Sequence, residues 1–284
     1  MSCKLDRNGI TEVTTASKPP STGVIRISSA QLQAWIQCPL SYCLRHVQGH
    51  MPPTSPAMFL GTVVRTALCH LHAVERDHLY LDMDDIHCYV QEQWASLAVR
   101  DEVQFSSASE ERMLQQQALS LLATYLDHRE WDEPPARAVA QPVMTPLTVS
   151  DSSARFSIYL TGTLDLVVDG PTGPVLVEFR TSSRSASSGE VQEEIRLACQ
   201  ALLFRHWSGV HESGQETRRL VKSKTPQLQI QRWPARADIH FRRLEAVVRA
   251  FLADDFTGQH IYRPSLACAW CDHRDSTCRD WLAT

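Results

Sequence analysis

Two short segments carry side chains whose types and spacing could support metal or acid chemistry. Asp165 sits in "TGTLDLVVD", and Glu178 and Arg180 sit in "VLVEFRTSS". Both segments are rich in apolar and β-branched residues and read as strands, with "DGPTG" as the turn between them. Alternate side chains of a strand share a face, so Glu178 and Arg180 project together while Val177 and Phe179 face the other way. One reading is a cross-strand ion pair on a half-exposed sheet. The other is a site. An Asp and a Glu at one end of adjacent strands are hard oxygen ligands of the kind Mg²⁺ or Mn²⁺ takes when it also holds phosphate. A metal held there activates water and offsets charge as a phosphodiester bond breaks, and a nearby cation stabilises the pentacoordinate phosphorus.

A second reactive group lies near the end of the chain. Cys268 and Cys271 form a C-x-x-C, and Cys278 follows. Alone, this pattern is a redox pair, half of a zinc site or two buried thiols. Cys69 and Cys199 fall on apolar helical stripes and read as core thiols. Cys3, Cys43 and Cys88 read as free thiols. The "HRD" at 273–275 has no glycine-rich loop or "DFG" to accompany it, which excludes a kinase reading.

Composition sets the frame for these groups. The chain has 284 residues, 43% hydrophobic and 21% charged, as in an ordinary globular protein. The first residues contain no apolar signal-peptide core, and no uninterrupted apolar run is long enough to span a bilayer. A cytoplasmic location without membrane attachment is the expectation. Nine cysteines in that compartment favour buried thiols or metal ligation over disulfides. A net charge of -4 excludes a general polyanion binder, but the charge is uneven. Acids dominate from Asp82 to Glu133. Bases dominate from Arg218 to Arg249, with Arg218, Arg219, Lys222 and Lys224 closest to the carboxylate strands. Such a block is either a solvated face or a track for phosphates.

The elements that must position these residues follow from periodicity. Residues 1–26 read as a loose polar tail. Ser28 with Gln31 three residues on is a capping-box helix start, and Pro39 divides or kinks the helix. Ser55 before Pro56 starts a second helix, and helical patterns recur near 86–99 and 108–129. From Ala136 the texture is β, with three strands, a helix near 191–207 and two further short strands, followed by an amphipathic helix and a loop-like cysteine tail. The order predicts one domain over 27–284: a helical part at 27–135, an α/β core at 136–232, and a C-terminal helix with the cysteine tail at 233–284.

Taken in order, "GTLDLVV", "GPVLVEFRTSS" and the later Gln200 resemble the PD-(D/E)xK nuclease superfamily, and in particular the RecB-type exonucleases and the CRISPR-associated nucleases that carry an iron–sulfur cluster. "SSAQLQAWIQCPLSYCLRHVQG" is similar to that family's opening helix with its Cys-Pro, "FLGTVVRTAL" to its Gly-x-x-x-His helix, and "LVKSKTPQLQI" to its strand pair after the core. The resemblance implies a small mixed sheet flanked by helices, with an N-terminal helical region and a C-terminal cysteine cluster. It makes Asp165 and Glu178 ligands of Mg²⁺ or Mn²⁺, Arg180 and Gln200 their catalytic neighbours, and Cys38, Cys268, Cys271 and Cys278 the ligands of a [4Fe–4S] cluster. Four thiolates also suit tetrahedral zinc. DNA is the implied ligand, as single strands or ends, and a helicase or another subunit of a repair or defence complex the implied partner.

The departures from the family pattern bear on activity. Arg180 stands where the catalytic Lys belongs, Arg65 where a metal-binding His is usual, and Gln141 in place of an acid. Arginine stays charged and is a poor proton acceptor, and its planar group is no conservative exchange for an ammonium. A fixed cation at Arg65 repels a divalent ion and attracts Asp165 or Glu178, so an Arg65–carboxylate bridge is expected where the metal would sit. The expectation is a retained fold with weak or lost cleavage. The alternatives are an active metal-dependent exonuclease and a cluster-bearing scaffold that cuts nothing.

Overall fold

The computed structural model describes residues 23–129, 133–147, 156–183, 194–258 and 260–282. Its contacts group into two compact units, one comprising Pro53–Val143 with Gly162–Ala237 and the other Met1–Pro52, Met144–Thr161 and Asp238–Thr284. The strands form one mixed sheet that begins with β1 (Gly23–Ser28) and has the order β1-β3-β4-β5-β6, with β2 (Ala136–Pro146) also paired to β3. β3 (Phe156–Gly170) is antiparallel to β4 (Gly173–Ser182), β4 is parallel to β5 (Gly214–Val221), and β5 is antiparallel to β6 (Gln227–Pro234). The fold is therefore the expected mixed α/β sheet flanked by helices.

In the first unit α3 (Pro56–Arg76) is the central helix, started by the Ser55 cap and a first-turn proline. It is long and apolar enough to cross a membrane by length and composition. Its Phe59, Leu60, Val63, Val64, Ala67, Leu68 and Leu71 are instead buried in one core with α4 (Met83–Arg100), α5 (Ala108–His128) and the strand residues Leu166, Val177 and Phe179. Burying side chains of this size stabilises a fold by about 1.5–3 kcal/mol each relative to exposure. The opposite face of the sheet is covered by α6 (Glu194–Ser208). Gln215 Nε2 of β5 donates to the Leu197 carbonyl at 3.0 Å, and a Cβ at Gly162 of β3 would stand 2.6 Å from Leu203 of α6. Both faces of β4 are thus occupied. Val177 and Phe179 point to the α3 core, and Glu178 and Arg180 point to α6, as the alternation requires.

In the second unit β1 (Gly23–Ser28) runs parallel to the first residues of β3. Part of the segment expected as a loose tail is therefore a strand, because Val24, Ile25 and Ile27 supply a short β-branched run whose partner lies far along the chain; residues 1–22 fall outside the described residues. α1 (Ser29–Gln37) opens with the predicted capping box, Ser28 and Gln31 bonding each other's backbone N–H. Pro39 begins the short α2 (Pro39–Tyr42), which passes into a π-helical turn, Cys43–Val47. Helix α7 (Asp238–Thr257) packs on α1 through Phe251, edge-on to Trp35 at 5.9 Å and to Tyr42 at 5.0 Å, and Asp254 accepts from the Trp35 indole at 2.9 Å. The cysteine tail, expected to be irregular, holds a 3₁₀ turn at Leu266–Trp270 and a short α8 at Thr277–Leu282.

Candidate functional site

Asp165 marks the point where β3 and β4 part. The ladder between them runs from Gly170↔Gly173 to Leu166↔Val177. The next β4 donor, the Phe179 N–H, goes to Asp165 Oδ2 at 3.0 Å. A side chain here ends the ladder while satisfying a backbone group that would otherwise be orphaned. Asp165 is 4% exposed, and a carboxylate so buried needs a cation. It has one in Arg65 of α3, whose Nε and Nη2 both donate to Oδ1, at 2.8 and 2.5 Å. Burial alone would lower the Arg65 pKa, but the hydrogen bond and charge of Asp165 outweigh it and the net shift is upward. The Cys69 thiol, one turn along α3, lies 3.7 Å from the Asp165 carbonyl, and burial together with the Asp165 charge pushes it up to about 12. It is a neutral packing group at physiological pH.

Glu178 has the same fate through a different helix. It is ion-paired with Arg196 of α6, whose side chain is 6% exposed. Burial and the neighbouring Arg219 guanidinium pull Arg196 down to about 10, while Asp165 acts in the opposite direction, so Arg196 is charged at neutral pH. In the parallel register Arg180 of β4 lies opposite Arg219 of β5, and Glu178 opposite Thr217. Gln200 lies on α6 one turn beyond Arg196 and is half-buried, on the same side of the helix. The structure places Asp165 on β3 and Glu178 and Arg180 on β4, with Gln200 one turn beyond Arg196 on α6, and sets Arg65 and Arg196 beside the two carboxylates and Arg219 opposite Arg180. Gln141 stays apart, its amide turned to the Pro142 carbonyl at 2.9 Å.

Arg196, the partner of Glu178, is the residue of this cluster that the sequence reading missed. Its signal was available, since it precedes Gln200 by one helical turn and must face whatever Gln200 faces. A correction concerns the basic block. Arg218, expected to reach nucleic acid, is 6% exposed and lies on the α3 side of the sheet. It donates to Tyr125 Oη at 2.8 Å and forms an ion pair with Glu133. Strand alternation decides this: Arg219 turns to the site, so Arg218 must turn inward. Lys222 is also partly buried, its Nζ 3.3 Å from the Ala57 carbonyl. Lys224, in the β5–β6 turn, is exposed.

The four tail-and-helix cysteines lie in the second unit. Cys38 is the residue between α1 and α2. The Leu40 N–H donates to the Ile261 carbonyl at 3.3 Å, Arg263 donates to the Ile36 carbonyl, and Arg45 pairs with Asp272 at 2.9 Å. These bonds hold α1 and α2 against the tail. The Ser265 N–H points at Cys268 Sγ, 3.5 Å away. Burial, and then the charges of Cys271, Cys38 and Cys268, push the Cys278 thiol up. None is in a disulfide. Among the described residues no three His, Cys, Asp or Glu side chains stand in metal-ligating geometry.

A family model for the PD-(D/E)XK nuclease superfamily matches residues 26–279. The chain belongs to the PD-(D/E)XK nuclease superfamily. Among solved structures, one from Eubacterium rectale named "Putative exonuclease" is 12% identical with a TM-score of 0.51, the match covering 87% of each chain. A second, named SSO0001, is 10% identical with a TM-score of 0.44, covering 87% of this chain and 83% of that one. At 12% identity the likeness to the Eubacterium rectale structure is one of fold. No curated protein matches.

Proposed function

We propose that this protein is a nucleic-acid-binding member of the nuclease superfamily, of the RecB-like and iron–sulfur type, whose metal-dependent cleavage is weak or lost. The observation that carries this reading is that each carboxylate expected to hold a divalent metal is paired with an arginine: Asp165 with Arg65 and Glu178 with Arg196. A carboxylate has roughly four acceptor positions, and Asp165 uses three, two for Arg65 and one for Phe179. Fixed guanidinium charges this close oppose a divalent cation electrostatically. The donor set present does not fit Mg²⁺ or Mn²⁺.

What the chain's own residues do is different. Arg65 and Arg196 neutralise the carboxylates and lock α3 and α6 to the strand ends. Arg180 and Arg219 give that end of the sheet positive charge suited to phosphate oxygens. The ligand is DNA, as single strands or ends. The four free cysteines suit a [4Fe–4S] cluster, or zinc, held by Cys38, Cys268, Cys271 and Cys278. When bound, the cluster supplies a covalent staple between the N-terminal helices and the tail. The free thiols also accord with a cytoplasmic protein, and a subunit of a repair or defence complex is the setting this chemistry suits.

The deciding experiment is a nuclease assay with Mn²⁺ on single-stranded and end-bearing DNA, run alongside a salt titration of DNA binding. Binding that weakens steeply with salt, with cleavage at background, is the expected result. Robust Mn²⁺-dependent cleavage abolished by Asp165→Ala would overturn the reading.

A further inference from the structure

A cavity of about 360 Å³ opens in the first unit between the flank of α3, Tyr89 of α4 and the strands β2 and β3. Arg65 forms part of its wall. The Arg65 side chain is 46% exposed, and its bonds to Asp165 use Nε and Nη2, so the Nη1 amino group remains to donate elsewhere. His70 and Tyr89 form a second wall. Their rings are stacked at 3.8 Å with an interplanar angle of 4°. Thr66 and Thr163 add hydroxyls, and Ala73, with a side chain of one methyl group, leaves the space open. The described lining contains one fixed cation and no carboxylate.

We propose that this cavity seats a phosphate monoester carried on a planar base, either a free nucleoside monophosphate or the phosphorylated end of a nucleic-acid strand. A divalent cation is disfavoured by Arg65. A neutral ligand would leave the outward donors of the guanidinium without an acceptor in a partly enclosed site. A phosphate accepts from a guanidinium fork with matched geometry, and the hydroxyls can bond its remaining oxygens. Aromatic side chains are the usual platform for a base freed from a duplex. Size selects the unit. Small-ligand pockets begin at about 300 Å³, so this one admits a single nucleotide and not a base pair. In its strand-end form the proposal rests on the nucleic-acid reading above, and in its free-nucleotide form it does not.

The test is calorimetric binding of deoxynucleoside monophosphates, inorganic phosphate, and short oligonucleotides with and without a terminal phosphate. The proteins are wild type, Ala73→Phe, which fills the cavity, and Thr163→Val, a milder change at an exposed position. Monophosphates should bind wild type, with affinity reduced at least about tenfold in Ala73→Phe and a few-fold in Thr163→Val. A preference for phosphorylated over hydroxyl ends assigns the strand end as ligand, and equal binding of both ends beside tight monophosphate binding assigns the free nucleotide. Should Ala73→Phe fail to fold, the decision passes to Thr163→Val. Wild type that binds hydroxyl-ended DNA but no phosphate monoester, or monophosphate binding unchanged in the folded variants, overturns the pocket and leaves the nucleic-acid reading standing. Monophosphate binding without any DNA binding overturns that reading and keeps the pocket.

Discussion

Arg65 and Asp165 form a two-pronged bond, Nε and Nη2 of the guanidinium both reaching Oδ1, at 2.8 and 2.5 Å. They are 100 residues apart, on α3 and β3. A helix and a strand that would meet around a metal ion are joined here by a charge pair.

This exchange can be reversed in part. Arg65→His replaces a fixed cation by a neutral ligand and frees Oδ1, and Arg180→Lys restores a compact ammonium. Neither change alone should suffice, because Arg65→His leaves no compact ammonium beside the carboxylates and Arg180→Lys leaves Arg65 on Asp165. The double variant should bind Mn²⁺ at least about tenfold more tightly than wild type and gain cleavage that Asp165→Ala then removes. Mn²⁺ affinity equal to that of wild type would show that the arginines do not control access to the carboxylates, or that Arg196 controls it alone.

Arg218 and Lys224 should separate stability from binding. Arg218 is buried and bonded to Glu133, Glu216 and Tyr125. Arg218→Ala leaves the largely buried Glu133 without this partner and Glu216 with Arg232 alone, at a cost of up to about 3–5 kcal/mol, visible as a lower denaturation midpoint. Lys224→Ala should change stability by no more than about 0.5 kcal/mol, while lowering the salt slope of DNA binding by about one ion. The opposite pattern would place Arg218 at the surface.

The buried network beside that pair makes stability depend on pH. His72 accepts or donates at Tyr125 Oη, 2.7 Å away, and Arg218 donates to the same oxygen. Burial, then the charges of Arg218 and Arg129, pull His72 down to about 3; Glu75, 3.6 Å from its Nδ1, faces it from the same helix. The unfolded chain takes up this proton below about pH 6.5, the folded one only below about 3. Between those values the unfolded state binds more protons, so stability falls as pH falls, by up to about 1.4 kcal/mol per pH unit. Above pH 6.5 the contribution is fully present. Urea midpoints compared at pH 7 and pH 4.5 should drop further for wild type than for His72→Gln. Parallel curves would assign the acid sensitivity to the carboxylates instead.

How far the sequence predicted this arrangement depended on whether a residue's surroundings were local. The capping box at Ser28, the proline start of α3 and the alternation that splits Glu178 from Phe179 are local, and each is legible from neighbouring residues. Strand β1 was missed because it has no partner nearby in sequence; its pairing to β3 becomes visible only in three dimensions. Arg218 was misplaced because a run of basic residues was read by charge when it should also have been read by parity. On a strand, two adjacent arginines cannot both face the same ligand. Arg196 was missed for a related reason, since the helix was read for its apolar stripe and its polar face was left with Gln200 alone.

The cysteines carry the last prediction. The second unit holds the segments bearing Cys38, Cys268, Cys271 and Cys278 together through contacts that do not involve sulfur: the Leu40–Ile261 backbone bond, the Arg263 side chain on the Ile36 carbonyl and the Arg45–Asp272 pair. Burial, and then the charges of Cys271, Cys38 and Cys268, push the Cys278 thiol up, and a metal centre would remove the electrostatic part of that cost. Protein purified without oxygen should therefore carry about four iron and four sulfide per chain and absorb visible light. Any one of Cys38→Ser, Cys268→Ser, Cys271→Ser or Cys278→Ser should remove most of both, whereas Cys88→Ser, at an exposed position on α4, should remove neither. Because the centre would join the two ends of this unit, the four variants should also lose the protease resistance of α1 and the tail together. Zinc in place of iron would keep the four-thiolate assignment and reject the cluster, and a metal-free protein with the same protease resistance would reject both.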